Sequence, residues 1–240
     1  MPPTLRFPHD FARLENNNVL IGFLRSDGPG PVAGDSLIPG AAGGIAAFTG
    51  SGKLLRCRIL ALGNSMPFEP RLMPDGSVLL STYGCGFYRV TDIDATAEVH
   101  NVYTLDVPSE IVPVDHEAAC GIPVVVDHYW IMAVGKLGLL LTLDIADPEH
   151  PRAVSRLMAD SMFHPHWMAK DPKSNRIIVG AENGGENRML MALVDPKTGA
   201  VKWDESFRTP NGQLGISFLH DNWPHGNTGA AFGHAALFRQ

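Results

Sequence analysis

Short apolar runs alternate with turn residues along almost the whole chain, and this pattern predicts strands. The run Asn18–Phe23 is followed by the Gly- and Pro-rich stretch Ser26–Gly44, and the run Leu54–Leu60 follows the turn Thr49–Lys53. Turn residues of this kind supply the backbone angles that reverse a chain between strands. Apolar residues at helical spacing are almost absent. We therefore expect an all-β protein.

The predicted strands form groups of four. In the second group, which is the clearest, strands are predicted at Pro70–Leu72, Ser77–Thr82, Phe87–Val90 and Ala97–Val99. In the third group they are predicted at Ile122–Val126, Tyr129–Val134, Leu139–Asp144 and Arg152–Leu157. In the fourth they are predicted at Trp167–Ala169, Arg176–Gly180, Met189–Val194 and Val201–Phe207. Four short strands per group are what one propeller blade contains.

A similar short phrase, with a Pro or His at the start of an apolar run, opens five repeats. The phrases are Phe7–Phe11, Phe68–Leu72, Cys120–Val124, Phe163–Trp167 and Trp223–Gly226. Their spacing of roughly 45 to 60 residues suits one blade with its loops. The pattern predicts a β-propeller of four-stranded antiparallel blades, with about five repeats in one domain over residues 1–240. The last piece, Ile216–Gln240, is shorter than a blade, so we expect it to close the ring by pairing with the other end of the chain.

Composition narrows the class of protein. Hydrophobic residues make up 45% of the 240 residues and charged residues only 18%, which favours a globular chain over a disordered one. The net charge of −6 and the scattered lysines and arginines argue against nucleic acid as a partner. The N-terminus lacks an apolar signal region and no long apolar window exists, so no membrane contact and a cytoplasmic location are expected. Export stays open as an alternative, because the first repeat begins close to residue 1.

The three cysteines, Cys57, Cys85 and Cys120, are odd in number and include no C-x-x-C pair. We therefore expect neither a disulfide framework nor a structural zinc site, and a reducing compartment fits best. Cys85 and Cys120 are interpreted as small buried residues. The alternative for both is a reactive thiol or a soft ligand for selenium or copper.

Histidines recur at the repeat starts. Residues at the same place in each blade converge in a propeller, so His9, His166 and His225, together with Glu69, are expected to face a common axis. Several imidazoles that meet in this way suit copper, zinc, iron or nickel. The alternative is that each imidazole satisfies a neighbouring carbonyl. His164 lies two residues before His166 and is expected to support the ligand rather than bind the metal.

Glu69 precedes Pro70 where other repeats carry a histidine. A carboxylate at that place is a candidate metal ligand or general base. The alternative is a salt bridge to Arg71 or Arg89. Because carboxylates are rarely buried without a partner, a buried position would itself suggest a function.

The segment Leu141–Arg152, with its Asp-Ile-Ala-Asp-Pro-Glu-His-Pro core, resembles the D-I-S-D-P-x-x-P signature of the selenium-binding protein superfamily. The run from Pro8 to Leu20, with Gly43–Ile45 and Gly52–Leu55 behind it, is similar to an early blade of that family. The resemblance implies a seven-bladed propeller, and in some members a copper-dependent methanethiol oxidase with a histidine metal site. It places that site at His9, His166, His225 and His234.

Two departures from the family pattern bear on this transfer. The cysteine-rich N-terminal motif of the family has no counterpart, and the passage Arg58–Phe68 is too short to hold a further blade. The chain therefore resembles a shortened, incomplete member of the family, in which the ring and the activity could both be altered.

Three functions are compatible with these features. The first is oxidation of a small thiol such as methanethiol by a metal, copper being favoured, held by the histidines with Glu69 as the catalytic group. The second is a non-catalytic propeller that binds a protein partner or small ligand through the loops Ser26–Gly44 and Thr209–Gly215. The third, a lactonase-like hydrolase with Ca²⁺, is weaker because calcium prefers oxygen ligands.

Overall fold

The computed structural model describes residues 5–26, 43–60, 66–105, 120–160, 163–181, 187–220, 223–226, 229–231 and 233–239. These residues form strands and turns, with one 3-10 turn at Gly135–Leu137 and no α-helix among them. They divide into two compact units. Unit 1 comprises Met1–Cys120 with Pro148–His150, and unit 2 comprises Gly121–Asp147 with Pro151–Gln240.

Unit 1 contains two antiparallel four-stranded sheets. Blade 1 consists of β1 (Leu5–Arg13), β2 (Val19–Ser26), β3 (Gly43–Phe48) and β4 (Leu54–Leu60), paired in chain order. Blade 2 consists of β5 (Pro67–Leu72), β6 (Val78–Thr82), β7 (Gly86–Thr91) and β8 (Glu98–Thr104), also in chain order. The two blades share one apolar core, which includes Leu20, Ile45, Val78, Leu80 and Val90.

Unit 2 repeats the same architecture. Blade 3 consists of β9 (Val124–Val126), β10 (Tyr129–Val134), β11 (Leu139–Asp144) and β12 (Arg152–Met158). Blade 4 consists of β13 (Pro165–Lys170), β14 (Arg176–Ala181), β15 (Arg188–Val194) and β16 (Val201–Trp203). Their common core includes Ile131, Leu140, Phe163, Val179 and Ala192. The predicted all-β fold with four-stranded antiparallel blades is confirmed.

Burial explains why the inner and outer strands differ in sequence. The middle strands β6, β10 and β11 are almost wholly buried and carry continuous apolar runs. The outermost strands β4 and β12 are largely exposed and mix charged with apolar residues. The turn between β5 and β6 shows how its residues reverse the chain. Gly76, with φ +80°, occupies a backbone region that glycine adopts without steric cost, and the preceding Asp75 carboxylate accepts a hydrogen bond from the Ser77 amide.

The C-terminal part differs from the prediction. The fifth repeat phrase, Trp223–Gly226, does not open a blade but lies in a tight turn in which the Gly226 amide donates to the Trp223 carbonyl. That turn lies between β18 (Leu219–His220) and β19 (Gly229–Ala230), which pair with each other. Just before it, β17 (Ile216–Ser217) pairs with β15 of blade 4. Among the described residues, the pairings of this part are therefore local, and none joins it to the N-terminal strand.

One strand end also differs from the prediction. The fourth strand of blade 4 ends at Trp203 instead of Phe207, because the Asp204 carboxylate accepts a hydrogen bond from the Ser206 amide and turns the chain. The loop Ser26–Gly44 lies mostly outside the described residues. No helix in the described ranges has the length and apolar character needed to span a membrane.

Candidate functional site

The first strand of three blades carries a bulge at the same place. The register of β1 with β2 shifts between Pro8 and Phe11, that of β5 with β6 between Pro67 and Glu69, and that of β13 with β14 between Pro165 and Trp167. All three strands lie at the edge of their sheets, where a proline costs no ladder hydrogen bond. A bulge re-aims the side chains beside it, which is why bulges often lie next to functional sites.

The bulges also correct the predicted alignment of the repeats. Pro67, not Pro70, is the counterpart of Pro8 and Pro165, so Phe68 takes the place that His9 and His166 occupy. Glu69 lies one residue further along. Pro67 and Pro70 lie three residues apart in the sequence, and only the pairing of β5 with β6 shows which of them corresponds to Pro8 and Pro165.

In unit 1, the bulge of β1 brings four polar side chains together where β1 packs on β5. The Glu69 carboxylate, whose side chain is 2% exposed, lies 3.1 Å from His9 Nδ1 through Oε1. Its other oxygen, Oε2, accepts a hydrogen bond of 2.7 Å from Arg71 Nη2. Arg71 Nη1 donates to Asp10 Oδ2 at 2.6 Å. We call His9, Asp10, Phe68, Glu69 and Arg71 the His9–Glu69 cluster.

The surroundings of His9 determine its tautomer. Nδ1 lies 3.1 Å from the Glu69 carboxylate and 3.2 Å from the Phe68 carbonyl oxygen. A carbonyl oxygen only accepts, so Nδ1 carries the proton and donates it. In the neutral ring the lone pair is then on Nε2. The ring stacks on Phe68 with centroids 3.7 Å apart, and the side chain keeps 27% exposure, so packing holds the imidazole while part of it stays in contact with solvent.

The two carboxyl groups of the cluster have pKa values displaced in opposite directions. Burial raises the pKa of Glu69, and the neighbouring Asp10 acts in the same direction, against the hydrogen bond from His9 and the charge of Arg71. Burial also acts to raise the pKa of Asp10, but hydrogen bonds with Glu69 and Arg71 outweigh it and leave that pKa below its ordinary value. Displaced pKa values of a coupled pair are frequent at functional sites.

These contacts answer the alternatives for Glu69. The salt bridge to Arg71 is confirmed, whereas Arg89 binds Asp75 and Glu149 instead, at 2.7 and 2.8 Å. The expected proximity of Glu69 and His9 is also found. Sequence reasoning missed the parts of Asp10 and Phe68, although the spacing of Glu69 and Arg71, two residues apart on one strand, indicated that both face the same side.

Unit 2 contains the other predicted ligands, and two of them come together. His166 is buried at the bulge of β13, and its ring lies 5.1 Å from that of His234, centroid to centroid. The His166 carbonyl accepts a 2.7 Å hydrogen bond from the Ile122 amide, and a Cβ on Gly121 would lie only 1.9 Å from that carbonyl oxygen. Gly121 is therefore needed for the close approach of the two backbones.

The remaining histidine candidates are exposed. His164 is exposed, and His225 is exposed in the turn after β18, where its ring stacks on Trp223 with centroids 6.1 Å apart. His225 is therefore not at the start of a blade, contrary to the repeat alignment. Within the described ranges, no three or more His, Cys, Asp or Glu side chains gather in a way that could hold a metal ion.

Two cysteines behave differently from the prediction. Cys85 and Cys120 are buried, as expected, but they form a disulfide. The interpretation of both as unpaired residues is wrong, and neither offers a thiol as a metal ligand or nucleophile while the bond is intact. The bond joins the turn between β6 and β7 to the end of unit 1, where the Cys120 amide also donates to the Tyr83 carbonyl. Spacing alone could not reveal a pair 35 residues apart.

One cavity of about 360 Å³ in unit 1 was not expected from the sequence. It is lined by apolar side chains such as Leu14 and Ile93 and by the acidic residues Glu15, Asp92 and Asp94. Two of these carboxylates are engaged within neighbouring turns: Asp94 accepts from the Asn18 amide group, and Asp92 from the Thr96 hydroxyl. Their hydrogen bonds stabilise the turns that border the cavity.

Comparisons with known proteins bear on the fold. No protein-family model matches the chain, and no curated protein matches it. A hypothetical selenium-binding protein from Sulfolobus tokodaii is similar in structure, with a TM-score of 0.63 and 14% identity over 88% of this chain and 59% of that one. A virginiamycin B lyase from Staphylococcus aureus has a TM-score of 0.56 and 13% identity over 86% of this chain and 58% of that one.

A third similar structure is a protein from Bacteroides fragilis proposed to be a 6-phosphogluconolactonase. Its TM-score is 0.58 and its identity 12%, over 82% of this chain and 53% of that one. This chain therefore spans between 53 and 59% of the length of the three structures. At these identities the likeness shows the fold alone. The class that it supports is the β-propeller.

Proposed function

We propose that this propeller acts on a small molecule by proton transfer at His9. The observation that carries the proposal is the buried Glu69 carboxylate held between His9 and Arg71. Placing a carboxylate in the interior is costly unless it is paired, and here the pairing also orients an imidazole that stays partly exposed. A His–carboxylate pair of this form is a recurrent arrangement for general base catalysis.

The geometry supports a defined division of roles. His9 Nδ1–H donates to Glu69 Oε1 and to the Phe68 carbonyl, so Nε2 is the atom that accepts a proton from the substrate. The imidazolium formed in that step carries a positive charge 3.1 Å from the Glu69 carboxylate, which stabilises it. The same Nε2–H then returns the proton to the leaving group. His9 is the proton carrier and Glu69 orients it.

Names carried by two structural neighbours are compatible with this chemistry. One is a lyase and another is proposed to be a lactonase. Elimination requires removal of a proton, and hydrolysis of a lactone requires a base that activates water. A positioned imidazole serves either reaction, so the proposal covers proton transfer and does not choose between them.

A probe reaction tests this proposal. The ring opening of 5-nitrobenzisoxazole depends on a base that removes one C–H proton, and it releases a coloured phenolate. We expect the protein to accelerate it over buffer, His9→Gln to abolish the acceleration, and Glu69→Gln to lower it. His100→Gln is the matched control, because His100 is an exposed histidine 3.7 Å from Glu98 in the same unit. A rate for the unmodified protein no higher than that for His9→Gln would overturn the proposal.

Copper-dependent oxidation of a small thiol is a second candidate, implied by the sequence resemblance. One observation favours it: metal-binding histidines commonly donate their other ring N–H to a carboxylate, as His9 does to Glu69. A separate pair in unit 2, His166 and His234, has ring centroids 5.1 Å apart and is a candidate copper site of its own. When bound, copper would supply the redox chemistry.

Elemental mass spectrometry of protein purified without an affinity tag tests this candidate. About one equivalent of copper, lost in His166→Ala and retained in His225→Ala, would support a site built on His166. His225→Ala is the control, since His225 lies in an exposed turn stacked on Trp223. Protein that carries no copper after incubation with the metal would rule this candidate out.

Binding of a protein partner through the loop Thr209–Gly215, together with a cytoplasmic location, stays a prediction.

A further inference from the structure

The two terminal nitrogens of Arg71 bind two different carboxylates. Nη1 binds Asp10 Oδ2 at 2.6 Å and also the Pro70 carbonyl at 2.9 Å, while Nη2 binds Glu69 Oε2 at 2.7 Å. A guanidinium is planar, and its N–H groups have fixed directions. Fixing one arm on Asp10 therefore sets the direction of the other, and with it the orientation of the Glu69 carboxylate.

The strand geometry explains how these groups meet. Glu69 and Arg71 are two residues apart on β5, so their side chains leave the same face of the strand. On β1, the register shift between Pro8 and Phe11 places two consecutive residues, His9 and Asp10, beside that face. In a regular strand, consecutive side chains would point to opposite sides. The bulge is therefore what allows the acid and the imidazole to share one partner strand.

The hydrogen bond from Arg71 gives the two Glu69 oxygens different partners. Oε2 is taken by Arg71, so Oε1 is left facing His9 Nδ1. Without the guanidinium, the carboxylate would be free to rotate about its last torsion, which has a broad energy profile. Loss of Arg71 would also leave a buried carboxylate next to Asp10 with no cation to offset their repulsion.

We infer that Arg71, anchored by Asp10, is a positioning residue that fixes the Glu69 carboxylate towards His9. The charge-assisted hydrogen bond made in this way adds to the weaker one that the Phe68 carbonyl accepts, and together they stabilise the tautomer with the lone pair on Nε2. The inference rests on the proposed function only for the use made of that lone pair. The tautomer itself is a property of the resting protein. It can be measured without substrate.

A second arginine of unit 1 provides a matched comparison. Arg89 also bridges two carboxylates, Asp75 at 2.7 Å and Glu149 at 2.8 Å. Both of those carboxylates lie on the surface, with side chains 41% and 61% exposed. Removing Arg89 therefore removes the same kind of bridge, at a place where the inference predicts no effect on His9.

The test is the long-range ¹H–¹⁵N spectrum of the histidine rings at pH 8.5, where an ordinary imidazole is neutral. We expect the Nδ1–H form for His9 in the unmodified protein and a shift towards the Nε2–H form in Arg71→Met. Asp10→Asn should give a smaller shift in the same direction, because the amide oxygen still accepts from Arg71 but lacks the charge that anchors the guanidinium. Arg71→Lys should recover only part of the Nδ1–H form, since an ammonium group cannot hold both carboxylates in a fixed fork.

Arg89→Met is the control and should leave the His9 signals unchanged. If Arg71→Met does not fold, Asp10→Asn and Arg71→Lys decide the question, and an unchanged tautomer in both would overturn the inference. An Nε2–H form in the unmodified protein would overturn it as well. The inference and the proposed function can fail separately. The expected tautomer shift without acceleration of the probe reaction would contradict only the proposed function. Acceleration that is the same with and without Arg71 would contradict only the positioning role.

Discussion

Two His–Glu pairs in unit 1 have the same chemical groups and very different settings. His9 and Glu69 are 3.1 Å apart, and the glutamate is 2% exposed. His100 and Glu98 lie two residues apart on β8, 3.7 Å from each other, with side chains 64% and 56% exposed. Only the first pair is enclosed by packing between strands of two blades, since β1 packs on β5.

The difference shows what burial adds to a pair of charges. The exposed pair is screened by water, and such pairs contribute about 0–1 kcal/mol. In the buried pair, the carboxylate has exchanged water for His9 and Arg71, and the imidazole ring is also held by Phe68. The environment, and not the identity of the two residues, makes the first pair a candidate for function.

The largest expected effect concerns the disulfide behind the buried pair. The Cys85–Cys120 bond holds the turn that carries Tyr83, whose ring lies 5.7 Å from Phe68, the ring on which His9 stacks. We expect replacement of both cysteines by serine to lower the free energy of unfolding by about 3–4 kcal/mol, the range for a closed loop of this length. Urea unfolding of the variant and of unmodified protein measures it.

Cys57→Ser is the control for this experiment, because Cys57 is not in the disulfide. Unfolded protein that has not been reduced should show only the Cys57 thiol in a thiol assay. Reactivity of all three cysteines would contradict the disulfide. A double variant as stable as the parent would contradict its contribution to stability.

Next in size is the loss of the buried carboxylate. We expect Glu69→Ala to lower the free energy of unfolding by about 1–3 kcal/mol, since Arg71 and His9 lose a buried hydrogen-bond partner. Glu98→Ala, at the exposed pair, should change it by less than about 0.5 kcal/mol. Equal effects of the two substitutions in urea unfolding would break the comparison.

The pH dependence of stability should differ in sign between buried and exposed carboxylates. Because the pKa of Glu69 is raised, chiefly by burial, its contribution favours folding below the ordinary value of 4.5 and is lost as pH rises through the raised pKa. Burial acts to raise the pKa of Asp75 too, but hydrogen bonds from Ser77 and Arg89 lower it to about 2. Its contribution is present above 3.8 and is lost as pH falls towards about 2.

Urea midpoints measured from acid to neutral pH separate these cases. Relative to Glu69→Gln, the parent protein should lose stability as pH rises above 4.5. Relative to Asp75→Asn, it should lose stability as pH falls below 3.8. Two differences with the same slope would contradict the assignment of opposite pKa displacements.

The smallest effect belongs to the exposed histidine. We expect His100→Gln to leave both the unfolding free energy and the probe reaction unchanged within error, because a screened surface pair contributes little. His9→Gln in the same assays should affect the probe rate strongly. If His100→Gln lowered that rate as much, the base would not be specific to the buried pair.

Much of the fold was predictable because it depends on local pattern. Predicted strands such as Tyr129–Val134 and Leu139–Asp144 are found with the same bounds, since an unbroken apolar run between two turns has few other solutions. The fifth repeat failed for the converse reason. Trp223–Gly226 carries the residues of a repeat start, but in the structure it forms a tight turn between the two-residue strands β18 and β19.

The candidate site was predictable only in part. The repeat pattern predicts that His9 and Glu69 face a common axis with His166 and His225, and the structure shows one part of that set, with His9 and Glu69 3.1 Å apart. Asp10 and Arg71 could not be assigned to the site, because alternation along a regular strand would point Asp10 away from His9. The bulge between Pro8 and Phe11 reverses that expectation, and a bulge leaves little trace in composition or spacing.

Local apolar alternation and turn residues are enough to specify the class of secondary structure and the grouping of strands in fours. The residue types available for chemistry are read directly from the sequence. Tertiary structure alone decided which of those residues meet. The packing of β1 on β5 buried Glu69 between His9 and Arg71, and the fold of unit 1 joined Cys85 to Cys120 across 35 residues. Contacts between distant segments depend on register and packing, which no local pattern specifies.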